Sequence, residues 1–220
     1  MIPTLYYCYD AYCGWCYGFS PVIKKISETY QDRLVFDVIS GGMLVSENPP
    51  HIGGMARYIA GAYKNVETLT GVEFGKDYLW HVLNPELSDW HPDSEKPAIA
   101  LSVLKDLKPE QAVWFAADLQ YSLYYEGRDL CDDEAYRHLT LKYGLDIIDF
   151  YARLKSPAYK EKAHYDFAIC KQLQISGFPS VFLQTAEQKF YLIARGYTSY
   201  DDVKTRIDQV LAEATAAAVS

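Results

Sequence analysis

Two cysteines separated by two residues, Cys13-Gly14-Trp15-Cys16, are the side chains whose type and spacing point most directly to chemistry. An apolar, strand-like run, Thr4–Tyr9, precedes them, and a helical pattern follows. A cysteine at such a junction sits among unpaired backbone N–H groups, at the positive end of the helix macrodipole. That environment favours the thiolate, the nucleophilic form of sulfur. A second thiol one turn further on can attack a mixed disulfide formed on the first. The pair therefore reads as a redox dithiol, with Cys13 as nucleophile and Cys16 as the resolving thiol.

The other cysteines admit a rival reading. Cys8, Cys13 and Cys16 form C-x4-C-x2-C, the spacing of plant-type iron–sulfur ligands, with Cys131 or Cys170 available as a fourth. Against it, Cys8 lies in an apolar strand and Cys170 on a helical apolar stripe, where each is a small core residue. Cys131 falls in a loop and is expected to be an exposed thiol. The five histidines are scattered with no zinc-binding pattern, and five cysteines do not make a disulfide framework. The expected metal set is therefore empty.

Composition narrows the classes further. Half of the 220 residues are apolar, which suits one large domain or one domain carrying an insertion. A net charge of −8 argues against nucleic acid or an anionic membrane as partner. No stretch approaches membrane-spanning length. Met1-Ile2-Pro3 leads into the first strand without a secretory pattern, so a cytoplasmic location is expected.

The elements around the motif follow from periodicity. Val22, Ile23, Ile26 and Tyr30 share one face of the helix after Cys16, with Pro21 expected to bend it. Leu34–Ile39 is β-rich and ends at Gly41-Gly42, which read as a turn. Strand, helix, strand in that order implies parallel strands. From 46 to 155 the strand signal fades and helix starts recur, at Ser94, Lys108-Pro109, Asp132-Asp133 and Asp146. Gly53-Gly54 and Asn84-Pro85 are expected to mark loops there. Ser156-Pro157 opens another helix, with Tyr159, Ala163, Phe167, Cys170 and Leu173 as its stripe. Two short apolar runs, Val181–Leu183 and Phe190–Ala194, form a hairpin before a last helix near Ser199. The expected class is α/β, a thioredoxin fold with an inserted all-helical domain. Residues 1–45 and 156–220 would form the discontinuous thioredoxin-like part and 46–155 the insertion.

These pieces resemble the DsbA-like branch of the thioredoxin superfamily, including its predicted cytosolic disulfide isomerases. Asp10-Ala11-Tyr12-Cys13-Gly14-Trp15-Cys16 and Gly177-Phe178-Pro179 carry the resemblance, with weaker support from Ala117–Leu130 and Tyr143–Phe150. The resemblance implies a thiol–disulfide oxidoreductase or isomerase. It implies that Pro179 is a cis-proline facing the dithiol, with Phe178 offering its backbone to an extended substrate. Trp15 would cover the sulfurs, while Gly14, Asp10 and Gly177 would support the site. Disulfide-bonded or thiol proteins and peptides are the implied partners. The protein would need no cofactor beyond glutathione as a co-substrate. Relatives of the kappa class are instead glutathione-dependent isomerases or transferases, which typically carry serine at the nucleophile position. One departure stands out. Many relatives place a buried acid six residues before the nucleophile, where this chain has Tyr7. Water, Asp10 or another group would then have to move the proton of Cys16.

Overall fold

The computed structural model describes residues 2–219. The chain opens with β1 (Thr4–Tyr9), α1 (Gly14–Tyr30) and β2 (Val35–Ser40). Six helices follow: α2 (Gly53–Thr70), α3 (Lys76–Leu83), α4 (Glu95–Leu107), α5 (Ala112–Tyr124), α6 (Arg137–Lys142) and α7 (Ile147–Leu154). The chain then returns through α8 (Pro157–Gln172), β3 (Ser180–Ala186), β4 (Lys189–Arg195) and α9 (Tyr200–Val219). The strands form one sheet in the order β2-β1-β3-β4, with β1 parallel to β2 and antiparallel to β3, and with β4 antiparallel to β3. This is the expected thioredoxin fold with a helical insertion.

The two faces of β1 bury different partners because strand side chains alternate. Leu5, Tyr7 and Tyr9 join the main core with Phe19, Ile23 and Ile26 of α1 and Val203 and Ile207 of α9. Cys8 points the other way, into a small cluster with Ile39 and Cys170 beneath α8. Pro21 lies within α1, which continues to Tyr30.

Gly53-Gly54 differ from expectation, since they form the first turn of α2 rather than a loop. Backbone N–H groups have no intrahelical partner in a first turn. Here the Gly53 N–H donates to the His51 ring at 3.1 Å, a cap that no spacing rule announces. The helix ends at Gly71, whose φ of 77° lets its N–H reach back to the Glu67 carbonyl.

A charged cluster ties the insertion to the back of the sheet. Lys105 of α4 donates to Asp37 at 2.7 Å and to the Val38 carbonyl at 2.8 Å, and lies 3.6 Å from Asp166 of α8. Asp166 in turn accepts the Ser40 N–H. Asp166 lay outside the apolar stripe expected for α8, and its carboxylate is buried among these partners.

Burial pushes the Asp166 carboxyl up to about 6, against the pull of Lys105 and the Ser40 N–H. In an unfolded chain it titrates at about 3.9. Between those two values the folded chain holds a proton that the unfolded chain has released. Acidification through this window therefore stabilises the fold, and raising the pH through 6 removes that gain. Urea titrations of the native protein and of Asp166→Asn should diverge as the pH falls from 7 to 4.5. The native protein is expected to gain about 2 kcal/mol on the variant. Parallel profiles would show that Asp166 does not titrate there.

Candidate active site

Cys13 is the N-cap residue of α1, with extended backbone (φ −91°, ψ 108°). Its Sγ accepts the Cys16 N–H at 3.4 Å, and its carbonyl accepts the N–H groups of Cys16 and Tyr17 at 3.0 and 3.1 Å. The sulfur thus rests on the open first turn of the helix, where partial positive charge gathers. The two thiols are unequal. Cys13 is 7% exposed and Cys16 0%. Burial, and then the neighbouring Cys13 sulfur, push the Cys16 thiol up, so it holds its proton at neutral pH.

Opposite Cys13 stands the turn into β3. The Phe178–Pro179 peptide bond is cis, and the Phe178 carbonyl lies 3.5 Å from Cys13 Sγ. The Ser180 hydroxyl donates to the Gly177 carbonyl at 2.8 Å and holds the turn from below. Gly41 does more than turn the chain. A Cβ at that position would come within 2.2 Å of the Phe178 ring, so only glycine lets the ring lie on this backbone.

Asp10 is the polar anchor of the site. It is 2% exposed, and its carboxylate accepts Tyr12 N–H at 2.9 Å, Met43 N–H at 2.7 Å and the Ser94 hydroxyl at 2.9 Å. Burial raises its pKa, while these donors pull it down. Ser94 was expected to cap α4. It makes no cap bond, because its hydroxyl is engaged by Asp10 and by the Leu44 N–H. Gln120, fully buried on α5, completes the shell. Its Nε2 donates to the carbonyls of Asp10 at 3.1 Å and Cys13 at 3.4 Å. The sequence reading missed Gln120. The available signal was a lone amide inside the otherwise apolar face of α5.

The remaining candidates separate. Trp15 is half-buried and, with Gly14, lines a cavity of about 60 Å³ shared with Tyr58, Tyr63 and Phe74 from the insertion. Tyr7 is buried in the same core as Cys13 and Cys16. Cys8 and Cys170 lie on the opposite face of the sheet from the dithiol, so C-x4-C-x2-C does not converge. Cys131 is not fully exposed as expected. It is half-buried, with Sγ 3.5 Å from the Tyr12 hydroxyl, because Tyr12 packs against its loop. Among the described residues no three His, Cys, Asp or Glu side chains are grouped to hold a metal. A larger groove of about 640 Å³, lined by Asp37, Lys105, Tyr165 and Asp166, lies on the α8 side, away from the two sulfurs. No helix is long and apolar enough to cross a membrane among the described residues.

Comparison with known proteins agrees with this geometry. The profile of the DSBA-like thioredoxin domain matches residues 4–208. A crystal structure from Nitrosomonas europaea, provisionally assigned as a protein disulfide isomerase, superposes with a TM-score of 0.85 at 25% identity, covering 97% of this chain and 99% of that one. The cytosolic disulfide reductase DsbM from Pseudomonas aeruginosa superposes at 0.76 with 26% identity, covering 94% and 98%, and is also known in a structure with GSH. The ClpXP adapter protein SpxH of Shouchella clausii (strain KSM-K16) is 22% identical over 171 residues, 78% of this chain. The chain spans 54% of that curated relative's length.

The Gln120 shell has a testable energetic signature. Gln120→Glu replaces the donor that faces two carbonyls with an acceptor and adds charge beside the buried Asp10 carboxylate. Gln120→Leu only removes these hydrogen bonds, since the two carbonyls keep the N–H groups of Cys13, Cys16 and Tyr17, a cost of about 0.5–1.5 kcal/mol. Chemical denaturation at neutral pH should rank the native protein above Gln120→Leu, and Gln120→Leu above Gln120→Glu. A glutamate variant as stable as the leucine variant would remove Gln120 from this role.

Proposed function

The chain belongs to the DSBA-like thioredoxin family, and we propose that it is a thiol–disulfide oxidoreductase working through Cys13 and Cys16. Cys13 attacks a substrate disulfide and forms a mixed disulfide, releasing one substrate thiol. Cys16 then attacks Cys13 Sγ, and the second substrate thiol leaves. The observation that carries this reading is the position of Cys13 Sγ. It lies over the first turn of α1 and 3.5 Å from the Phe178 carbonyl, beside the cis-proline.

Each neighbour has a part in this scheme. Phe178 and Pro179 receive an extended substrate backbone next to the nucleophile, and proline brings no N–H to compete for the sulfur. Gly41 leaves the Phe178 ring room to lie flat. Asp10 and Gln120 hold the loop that carries Cys13, and Gly14 and Trp15 border the small aromatic cavity. The substrates are thiol or disulfide proteins and peptides. Glutathione is the proposed co-substrate that recycles the dithiol, a reading supported by the glutathione-bound structure of DsbM. Similarity to that cytosolic reductase also supports a cytoplasmic location.

A glutathione redox titration, read by intact mass after thiol trapping, tests the scheme. A Cys13–Cys16 disulfide is expected. A potential of about −270 mV would mark a reductase and one of about −120 mV an oxidant. Cys16→Ser should accumulate mixed disulfides with substrate, and Cys13→Ser should be inactive. Failure to form the disulfide at any glutathione ratio would refute the dithiol mechanism. Catalysis of a glutathione-dependent isomerisation that survives Cys16→Ser would favour the kappa-class alternative.

A further inference from the structure

β2 is an edge strand, and side chains close part of its free side where a further strand would pair. Val35 and Gly41 give their N–H groups to the carbonyls of Pro3 and Tyr9, at the two ends of the β1 ladder. The alternate residues Val38 and Ser40 therefore turn their backbone groups away from β1. Lys105 Nζ donates to the Val38 carbonyl at 2.8 Å. The Ser40 N–H donates to Asp166 Oδ2 at 3.2 Å, and the Cys170 thiol donates to the Ser40 carbonyl at 3.6 Å. Asp166 and Cys170 stand one turn apart on α8, so that helix holds the last residue of β2 by both of its backbone groups.

The two residues after Ser40 carry the active-site turn. The Phe178 ring lies on Gly41, and the Phe167 ring of α8 lies on Gly42, where an added Cβ would come within 2.7 Å of it. Phe178 places its carbonyl 3.5 Å from Cys13 Sγ. Asp166 is thus linked to the turn through Ser40, Gly41 and the Phe178 ring, although its own partners are Ser40 and Lys105, not the sulfurs.

We infer that Asp166 is a positioning residue for substrate docking: by holding the Ser40 N–H it fixes the Gly41 backbone under Phe178, and so the turn that receives the substrate beside Cys13. The inference rests on the dithiol mechanism proposed above. The groups that face the carboxylate are Lys105 of α4, Asp37 of β2, Cys8 of β1 and Cys170 of α8, with Tyr9 further along β1. Asp106 and Lys162 pair with each other in the same groove, beside Glu161. Burial works against the Lys105 charge, but Asp166 and Asp37 outweigh it. The neighbouring Cys170 and burial push the Cys8 thiol up, and burial pushes the Tyr9 hydroxyl up, so both keep their protons. Burial brings Asp166 itself up to about 6. Its ionised form is the stronger acceptor for an N–H. The hold on Ser40 therefore tightens as the pH rises through 6, while the same ionisation removes stability from the fold. Docking and stability respond to this carboxylate in opposite directions.

Two thiopyridyl disulfides with the same leaving group separate docking from the reactivity of the sulfur. One is dithiodipyridine, and the other is an extended hexapeptide whose cysteine carries the thiopyridyl group. In each, Cys13 Sγ bonds to one sulfur of the reagent, and thiopyridone leaves with the electron pair of the broken S–S bond. Stopped-flow absorbance gives the second-order rate. At pH 7.5 Asp166→Asn should slow attack on the peptide about fivefold, the effect of weakening one hydrogen bond to a charged acceptor, and leave dithiodipyridine within about twofold. The ratio of native to variant rates on the peptide should fall toward one by pH 5, where the native carboxyl is protonated. Groups common to both proteins, Cys13 and His164 included, cancel in that ratio. A purely structural role would make the native rate gain on the variant as acid stabilises the native fold, the reverse of this trend. Equal peptide rates at pH 7.5, a ratio that does not change with pH, or equal slowing on both reagents overturns the inference alone. A native protein that releases no second thiopyridone from dithiodipyridine, the one Cys16 would free, overturns the dithiol mechanism, and this inference with it.

Discussion

The antiparallel register of β1 and β3 decides where Cys13 meets the Phe178–Pro179 turn. Cys8 pairs with Ser180, so the residues just before Ser180 arrive beside the end of β1, where the chain turns toward Cys13. A slip of one residue would turn Val181 and Leu183, both fully buried, to the opposite face. Hydrophobic burial therefore pins the register, and the register sets Phe178 and Pro179 against the N-terminus of α1. The chemistry inherits its geometry from packing several residues away.

Around that junction the polar groups are few and shared. A buried carboxylate costs several kcal/mol unless it is hydrogen-bonded. Asp10 meets that cost by accepting from its own loop, from the segment after β2 and from the start of α4. Gln120 adds a tie from α5 to the same loop. The insertion is thus part of the wall of the site. Its helices hold the dithiol loop through hydrogen bonds and supply the aromatic side of the cavity beside Trp15.

The two faces of the sheet divide the work. The front carries the dithiol, Tyr7 and the main core. The back carries the Lys105, Asp37 and Asp166 cluster, with Cys8 and Cys170 buried close by. Strand alternation turns Cys8 toward Cys170 and away from Cys13 and Cys16, and a thiol buried among apolar neighbours is a core residue while a helix N-terminus favours the thiolate.

By itself the sequence determined the local elements and the candidate cysteine pair. Thr4–Tyr9 is a short apolar run that reads as a strand, Cys13 and Cys16 stand one helical turn apart, and Ser156-Pro157 starts α8, all from short-range rules. The cysteine pair also sufficed to point to Gly177-Phe178-Pro179, through a family resemblance. Tertiary structure alone decided which polar groups surround the pair. Ser94 looked like a helix cap and became a partner of Asp10. Gln120 and Asp166 had no part in the sequence reading and are buried anchors in the fold. Gly41 looked like a turn and became the bed of the Phe178 ring. Helix and strand periods constrain a residue against neighbours a few positions away. These contacts join residues from 33 to 137 positions apart, and only the packing of the whole core sets which of them meet.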